Sequence, residues 1–306
     1  MSKKYEFWKR QFNVADIQNS LKQVYVAKYY NIWMSKFEWG GLDEDVKEQQ
    51  ENFIMRKFWS DGTVAVRKID NLDMLVFAPY AAFKFNLYDF PEEVTLVNLR
   101  NAPRALIPVE PQVVNKDVVI GWAQPNRKPI AAIVMPYIDR MVQVDMVINT
   151  NLNLQKMPFL VGVNEVDKEK MEDIVRRILN NEIVVFADLE DLSRVQTLAT
   201  QTPYVIDKLN EYKRGLEQEL LTFLGVDNNG TGQLEQTHVS VDAVNANNDM
   251  INDFGESIEG EINKWLEQIK RVLGRTLTIK NVSKPVNTVH EDEEPKAPED
   301  KKDVVE

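Results

Sequence analysis

The part of the sequence that comes nearest to a known ligand site is residues 227–234 (DNNGTGQL). Asp227, Asn229 and Thr231 fall on ligand positions of an EF-hand calcium loop, and Gly232 falls on its turn glycine. The twelfth position needs a bidentate glutamate but holds His238, and one of the three ligand side chains above is a carboxylate. The pattern therefore favours a glycine-rich mobile loop, with calcium binding as the alternative.

Other catalytic or cofactor chemistry finds little support in the residue types. The 306-residue chain has no cysteine and two histidines, which argues against thiolate nucleophiles, zinc sites and a histidine-based triad. It has no Walker A motif, and no GxGxxG turn follows a predicted strand. Acidic pairs such as Glu190 and Asp191 have no base or metal-ligand set beside them, so we expect solvated faces there. The sequence predicts no catalytic residue, no metal and no cofactor.

The charge balance is acidic, with 48 acidic and 37 basic residues and a net charge of -11. Proteins that hold DNA tightly are usually basic, because Lys and Arg neutralise phosphates. The N-terminus differs, since four basic residues stand among aromatic ones there: Lys3, Lys4, Lys9 and Arg10. This arrangement suits phosphate contact with stacking, and it equally suits an ordinary charged terminus. We see no signal peptide and no apolar span of about 20 residues, so we expect a soluble protein made in the cytoplasm.

The first half of the chain predicts two helices and then a small, irregular sheet. The helices cover residues 16–39 and 43–59, with Asp16 as a cap and Gly40 and Gly41 ending the first. Short runs rich in β-forming residues follow, separated by prolines. These runs cover residues 63–69, 74–77, 83–88, 94–99 and 118–122.

Two helices of about 20 residues, each roughly 30 Å long, dominate the second half. The first runs from Pro129 to residue 152, and Pro136 should kink it or delay its start. The second covers residues 204–224, where apolar residues recur every three or four positions until Gly225. A strand, a helix and a strand are predicted between them, over residues 159–163, 168–179 and 182–187.

The remaining residues predict a loop, a third amphipathic helix and a tail. Residues 226–247 are polar and glycine-containing, which is typical of a flexible loop. A helix over 248–273 and a strand over 276–282 follow. Residues 283–306 contain eight acids and four lysines with little apolar content, which favours disorder.

Four segments resemble the portal protein of small podophages of the protein-primed picovirus type, also called the upper collar or head–tail connector. They are residues 151–158 (NLNLQKMP), 202–210 (TPYVIDKLN), 221–226 (LTFLGV), and 37–39 (FEW) with Leu42. The first resembles the exit of that family's first long helix, and the next two resemble the start and end of its second. The resemblance follows the element order through most of the chain and is weak over residues 60–130 and in the tail.

The resemblance implies a mainly α fold with small α+β units: the phage portal fold of wing, stem and clip, assembled as a ring of twelve subunits. The wing would cover residues 1–129, and the two stem helices would cover 130–152 and 204–225. The clip would cover 153–203 and the channel loop 226–247. The returning wing helix and strand would cover 248–282, and the acidic tail would cover 283–306.

The resemblance also implies a structural virion protein at the portal vertex of the capsid, active in genome packaging, retention and ejection. Its implied partners are other copies of itself, double-stranded DNA in the lumen, major capsid and scaffold proteins, the packaging ATPase, and lower collar or tail proteins, without a membrane. The alternatives are another structural virion protein, such as a collar or minor capsid component, and a calcium-binding protein built on the Asp227 loop.

Candidate DNA-channel residues follow from the same resemblance. Lys208 matches a channel-facing lysine of the family, and Lys213 and Arg214 are suspected because they lie nearby. Polar candidates in and beside the loop are Asn228, Asn229, Thr231, Gln233, Gln236 and His238. The family's loop carries a lysine pair that residues 232–237 (GQLEQT) lack, and a further family lysine aligns with Ala199. We therefore expect a channel that holds phosphates weakly, with a steric role for the loop.

Lys3, Lys4, Lys9 and Arg10 are candidates for nucleic-acid or packaging contacts.

Overall fold

A computed structural model describes seven stretches of the chain: residues 14–69, 72–97, 110–156, 159–162, 196–199, 203–228 and 241–282. The chain divides into two compact units. The first unit comprises Met1–Lys28 and Met135–Glu217, and the second comprises Tyr29–Val134 and Gln218–Glu306. The tail over 283–306 and the predicted elements over 168–179 and 182–187 lie outside the described residues.

Helices and short strands alternate along the described chain, in agreement with the predicted mixture of α structure and small β units. The helices are α1 (Val14–Met34), α2 (Lys47–Ser60), α3 (Ile130–Lys156), α4 (Ile206–Phe223) and α5 (Val241–Leu273). A 3-10 turn, Glu44–Val46, precedes α2. The strands are β1 (Phe37–Gly40), β2 (Thr63–Ile69), β3 (Met74–Ala78), β4 (Tyr80–Phe85), β5 (Pro91–Leu96), β6 (Gln112–Val113), β7 (Val119–Trp122), β8 (Phe159–Gly162), β9 (Gln196–Ala199) and β10 (Thr278–Asn281).

Two three-stranded antiparallel sheets form the β part of the second unit, in the orders β3-β2-β7 and β4-β5-β6. Both sheets contribute to one apolar cluster. Its fully or almost fully buried members are Ala65, Ala78, Val94, Leu96, Val118 and Ile120. The predicted irregular sheet is thus confirmed, but as two sheets that share a core.

The aromatic core of this unit is centred on Trp265 of α5, which is 2% exposed. Its ring meets those of Trp39, Phe58 and Phe77 edge to face, with centroids 5.5–6.3 Å apart. Gly121 of β7 lies against the same indole, and a Cβ atom there would come within 2.4 Å of Trp265 Cδ2. Glycine is therefore required at this position for α5 to pack closely on β7.

The first helix is shorter than predicted. It ends at Met34, and Phe37–Gly40 forms β1, which pairs antiparallel with β10. Phe37 and Trp39 are buried while Glu38 between them is exposed, which is the two-residue period of a strand. The dense aromatic residues continued the helical pattern in the sequence, so the change of period was missed.

Other boundaries also differ from the predictions. β4 and β5 each start about three residues earlier than predicted, because residues 86–90 form the turn between them. The predicted loop over 226–247 is shorter, since α5 begins at Val241. Two asparagines within its first turns contact the rest of the protein, since Asn247 hydrogen-bonds Asn228 and Asn248 is buried.

The first unit contains the larger part of α3 together with parts of α1 and α4. Ile138, Met141 and Val142 of α3 and Leu216 of α4 are buried. Pro136 lies inside α3 without delaying its start at Ile130. β8 pairs antiparallel with β9, and the predicted strand at 182–187 lies outside the described residues. None of the helices in the described ranges is long and apolar enough to cross a membrane.

Candidate functional site

Helix α4 presents one polar face to solvent and one apolar face to the protein. Lys208, Glu211 and Tyr212 are exposed, whereas Ile206 and Leu220 are buried. A Cβ atom on Gly215, on the same exposed side, would meet nothing within 4 Å. The exposed charges of this helix are three carboxylates and two cations: Asp207, Glu211 and Glu219 against Lys208 and Arg214. The candidate channel residues Lys208 and Arg214 therefore stand on a surface with a slight excess of negative charge.

Lys213 lies on the other side of the helix. Its ammonium donates to Asp145 Oδ1 at 2.7 Å, and the Tyr25 hydroxyl donates to the second oxygen of that carboxylate at 2.5 Å. We call Tyr25, Asp145 and Lys213 the Asp145 cluster. Burial and then the neighbouring carboxylate raise the pKa of the Tyr25 phenol far above its usual value. The cluster joins α1, α3 and α4, so Lys213 is held inside the unit while Lys208 is free to meet solvent.

Further ion pairs between the same helices lie at the surface of the first unit. Lys28 of α1 pairs with Glu217 of α4, and Lys22 of α1 pairs with Asp139 of α3 at 2.7 Å. Exposed pairs of this kind contribute little stability individually. The Asp145 cluster is less exposed, with side-chain exposures of 27% for Lys213 and 16% for Asp145, and it contributes more to the spacing of the helices.

The segment NLNLQKMP has a structural explanation at the end of α3. The buried Asn151 side chain donates a hydrogen bond from Nδ2 to the carbonyl of Pro203 at 3.0 Å. Pro203 belongs to the second segment, TPYVIDKLN, three residues before α4 begins. One side chain thus links the exit of α3 to the approach of α4, which ties two of the four family segments together.

The C-terminal end of α4 is fixed by Lys36, whose residue is 2% exposed. Its ammonium donates to the carbonyls of Leu224 and Gly225, the second at 3.1 Å. These carbonyls carry the negative end of the helix dipole, so a cation is favoured there. Burial lowers the pKa of Lys36 to about 8, and the charge of Glu259 partly offsets that effect. The C-terminal end of α4, which lies in the segment LTFLGV, is therefore capped by a buried ammonium group.

Close backbone packing explains the glycine in this segment. Gly225 has φ +62°, and a Cβ atom there would lie 2.5 Å from Gly255 Cα of α5. The Lys36 carbonyl accepts a hydrogen bond from Val282 N at 2.9 Å, directly after β10. Lys36 immediately precedes the FEW segment, so the remaining two family segments meet at this point of the second unit.

The polar candidate Asn228 is buried rather than exposed. Its Nδ2 donates to the carbonyl of Gln218 at 3.0 Å and to Thr222 Oγ1 at 2.9 Å, and Asn247 donates to its Oδ1 at 2.8 Å. These contacts hold the chain as it leaves α4. The Asn228 side chain thus stabilises the fold, whereas Lys208 and Arg214 remain the described candidates on an exposed surface.

Several predicted site residues lie outside the described stretches of the chain. They are Asn229, Thr231, Gln233, Gln236 and His238 around the loop, and Lys3, Lys4, Lys9 and Arg10 at the N-terminus. Asp227 is described and exposed. Within the described ranges no group of three or more His, Cys, Asp or Glu residues could hold a metal ion. The positions from Asn229 to His238, on which the calcium alternative depends, lie outside the described residues.

Sequence reasoning missed Tyr25, Lys36 and Asp145, which position the candidate surface. Asp145 carries a visible signal, because it is a lone acid in the apolar run MVQVDMVI. A charged residue in such a run has a partner when it is buried. Nothing in the sequence names that partner, since Lys213 is 68 residues away.

Comparison with known proteins assigns the family. The model of the family described as Phage Connector (GP10) matches residues 9–286. Two solved structures are similar over most of their length. The portal and tail of native bacteriophage P68 give 13% identity, 92% coverage of both chains and a TM-score of 0.45. An HK97-family phage portal protein from Corynebacterium diphtheriae gives 9% identity, 84% coverage of this chain, 91% of that chain and a TM-score of 0.49.

The family match spans all four segments on which the predicted resemblance rests, and it confirms that prediction. Because the match covers far more than half of the sequence, the chain belongs to the phage connector family.

Proposed function

We propose that this connector subunit assembles with copies of itself into a ring and that double-stranded DNA passes through the opening. The observation that supports the proposal best is the connector-family match over residues 9–286. In this proposal the protein acts by shape and symmetry, without catalysis. It conducts the genome inward during packaging, retains it, and conducts it outward during ejection.

The wall of the proposed channel is the exposed face of α4. A polyanion slides best along a wall that does not bind it strongly, because every tight phosphate contact is an energy well that the next step must leave. The slight excess of carboxylates on this face agrees with that requirement. Lys208 and Arg214 would contact phosphates only briefly as the duplex moves.

The regions follow the family arrangement, with bounds adjusted to the observed helices. The stem would comprise α3 and α4, and the wing would comprise the sheets of the second unit with α5. The clip would lie between α3 and α4, and the channel loop would lie between α4 and α5. We expect the virion partners to be the capsid and scaffold proteins, the packaging ATPase and the lower collar or tail.

The mass of the assembled protein tests the ring. Twelve copies of the 35.4 kDa chain would give a particle of about 425 kDa. Native mass spectrometry of the purified full chain should find this mass, and negative-stain images should contain a ring with a central hole. A compact monomer over a wide range of concentrations would refute the proposal. A ring with another number of copies would correct the stoichiometry alone.

Photo-crosslinking tests the wall. A benzophenone amino acid at position 208 should crosslink to packaged DNA in assembled particles, because that side chain would face the lumen. The control is the same amino acid at position 264, where the lysine is 69% exposed but lies on the proposed wing. A nuclease-sensitive mass shift at 208 and none at 264 is the expected result. Equal shifts at both positions, or no shift at position 208, would show that α4 does not form the wall of the channel.

A further inference from the structure

A strained turn directly before α3 holds Arg127 in a fixed position. Its φ is +58°, a conformation that residues other than glycine rarely adopt. Arg127 N donates to Gln124 O at 3.0 Å, and the Gln124 side chain donates to Lys128 O at 2.9 Å. Asn126 Oδ1 accepts a hydrogen bond from Lys128 N at 2.8 Å. Backbone strain that several contacts hold in place is typical of a position with a specific role.

The Arg127 guanidinium is stacked on aromatic rings. It lies 3.7 Å from the centroid of the Phe90 ring and 5.2 Å from that of the Trp122 ring. Nothing among the described residues accepts a hydrogen bond from it. Stacking occupies the faces of a guanidinium and leaves its N–H edge available, and that edge binds a carboxylate through two parallel hydrogen bonds. Arg127 is thus an oriented cation without an anion in the described part of the chain.

A cavity of about 290 Å³ adjoins this guanidinium. Arg127 and Lys264 line it, and Glu261 is the one acid among its described lining residues. The Lys264 ammonium pairs with Glu261, so two cations against one carboxylate leave one excess positive charge. Trp122 and Gln268 add an aromatic wall and a neutral hydrogen-bonding group. We call this cavity the Arg127 pocket.

The excess positive charge is confined to this pocket. The larger cavity beside it, of about 520 Å³, has Glu92 and Glu93 but only Lys84 among its charged described lining residues, which leaves one excess negative charge. An acidic ligand is therefore directed to the Arg127 pocket and away from its neighbour.

The chain itself carries an acidic segment that suits this pocket. Residues 291–294 (EDEE) are four consecutive acids, and the tail over 283–306 holds eight acids against four lysines. A segment tethered to its own binding site acts at an effective concentration in the millimolar range. A weak attraction is therefore enough to keep it bound.

The start of the tail lies within reach of the pocket. The Asn281 side chain is 3.9 Å from the position of a Cβ atom on Gly255 of α5. From Gly255 to Lys264 the helix rises about 14 Å. Glu291 comes nine residues after Val282, and nine residues span up to about 30 Å. The acidic run can therefore reach the Arg127 pocket of its own chain.

We propose that the acidic run 291–294 docks in the Arg127 pocket of its own chain. One carboxylate of the run forms a bidentate pair with Arg127, and a neighbouring carboxylate replaces Glu261 as the partner of Lys264. The Lys264 side chain is 69% exposed, so its pair with Glu261 contributes little stability and is easily exchanged. Pocket and tail both belong to the second unit, and the docking does not depend on assembly of a ring.

Cross-linking within the full chain tests the docking, since the natural chain has no cysteine. Pro295→Cys places a thiol directly after the acidic run, and Gln268→Cys places one in the pocket. A short bis-maleimide should join the two within one chain at low ionic strength, with the rate followed by peptide mapping. The matched control pairs Pro295→Cys with Asn263→Cys, which is exposed on α5 outside the pocket lining and lies nearer to Gly255.

The rate with position 268 should exceed the rate with position 263 at least about fivefold, because docking raises the local concentration at the pocket alone. Equal rates would overturn the inference, since an undocked tail meets the nearer position at least as often. A covalent dimer as the main product would also overturn it, because the tail would then occupy another copy.

Charge variants of the 268–295 cysteine pair identify the contact. Arg127→Gln should lower the cross-linking rate at least about fivefold, because it removes a charge-assisted pair. Arg56→Gln is the matched control and should leave the rate unchanged, since Arg56 is an exposed arginine of the same unit whose guanidinium also lies near a ring, that of Phe53 at 5.5 Å. Neutralising the whole run (E291Q, D292N, E293Q and E294Q) should lower the rate as much as Arg127→Gln does.

Other outcomes of these variants would refute the docking. Equal slowing by Arg127→Gln and Arg56→Gln would mean that general electrostatic attraction, and not the pocket, draws the tail. An unchanged rate after neutralisation of the run would exclude its carboxylates as the ligand. Loss of duplex-DNA binding by Arg127→Gln with an unchanged cross-linking rate would assign the pocket to phosphate. Should Arg127→Gln alter the far-UV circular dichroism, the neutralised run decides alone, because its substitutions lie outside the described residues.

Discussion

Gly121 offers the sharpest test of the packing between β7 and α5. Substitution by alanine places a methyl group 2.4–2.7 Å from three atoms of the Trp265 indole, which is closer than real contacts allow. The ring cannot retreat, because Trp39, Phe58 and Phe77 surround it edge to face. Overpacking of a filled core costs about 1–3 kcal/mol, and an immobile neighbour moves the expected value towards 3 kcal/mol.

The assay is thermal unfolding at fixed chain concentration, followed by near-UV circular dichroism. For a chain of this size, a loss of about 3 kcal/mol corresponds to a fall in Tm of roughly 5 °C. Two glycines with open space provide controls, since nothing lies within 4 Å of a Cβ atom at Gly215 or Gly260. Alanine at these helical positions should stabilise the chain by about 0.5–1 kcal/mol. Should Gly121→Ala unfold within a degree of the wild type, the close approach of Trp265 to β7 would be wrong.

Two further predictions concern the groups that fix α4. Lys36 has a folded pKa of about 8, below the ordinary lysine value of 10.5, so between these values the unfolded chain holds the proton that the folded chain lacks. Wild-type stability should therefore gain about 2–3 kcal/mol from this group between pH 7 and pH 10, and urea unfolding of Lys36→Met should lack that gain. Parallel curves for the two proteins would contradict a buried ammonium. Asp145→Asn should cost about 1–3 kcal/mol because it leaves Lys213 without its anion. It should also lower the pKa of Tyr25 in an ultraviolet titration, and an unmoved phenol would argue against the cluster.

The sequence predicts α4 well, because its apolar residues recur with helical spacing and Gly225 ends it. The same spacing assigns a face to each residue, and Lys208 falls on the exposed side. It does not reveal that Lys213 points inward, because the anion that makes this favourable lies on a different helix. Contacts between residues distant in sequence leave no trace in local periodicity.

β1 illustrates the opposite case, where the local pattern misleads. Phe37 and Trp39 continue the aromatic spacing of α1, and a four-residue strand is too short to produce its own periodic signal. What decides the conformation is β10, more than 230 residues later, which supplies the pairing partner in register Phe37 with Asn281. The strand forms because that partner exists, and a helical propensity of a few tenths of a kcal/mol per residue does not outweigh it.

The four family segments share a physical role that none of them displays alone. Asn151 joins the exit of α3 to Pro203 before α4, and Lys36 joins the end of α4 to the residues that lead into β1. The Lys36 contact acts at the C-terminal end of α4, where backbone carbonyls without helical partners need donors. The Asn151 contact holds the chain just before α4 begins. In the proposed channel, α4 cannot be held by its exposed face, because that face has to stay free for the DNA that passes. It must therefore be held at its ends and along its inner side, where Asn151, Lys36 and the Asp145 cluster act, and this leaves Lys208 and its neighbours unconstrained.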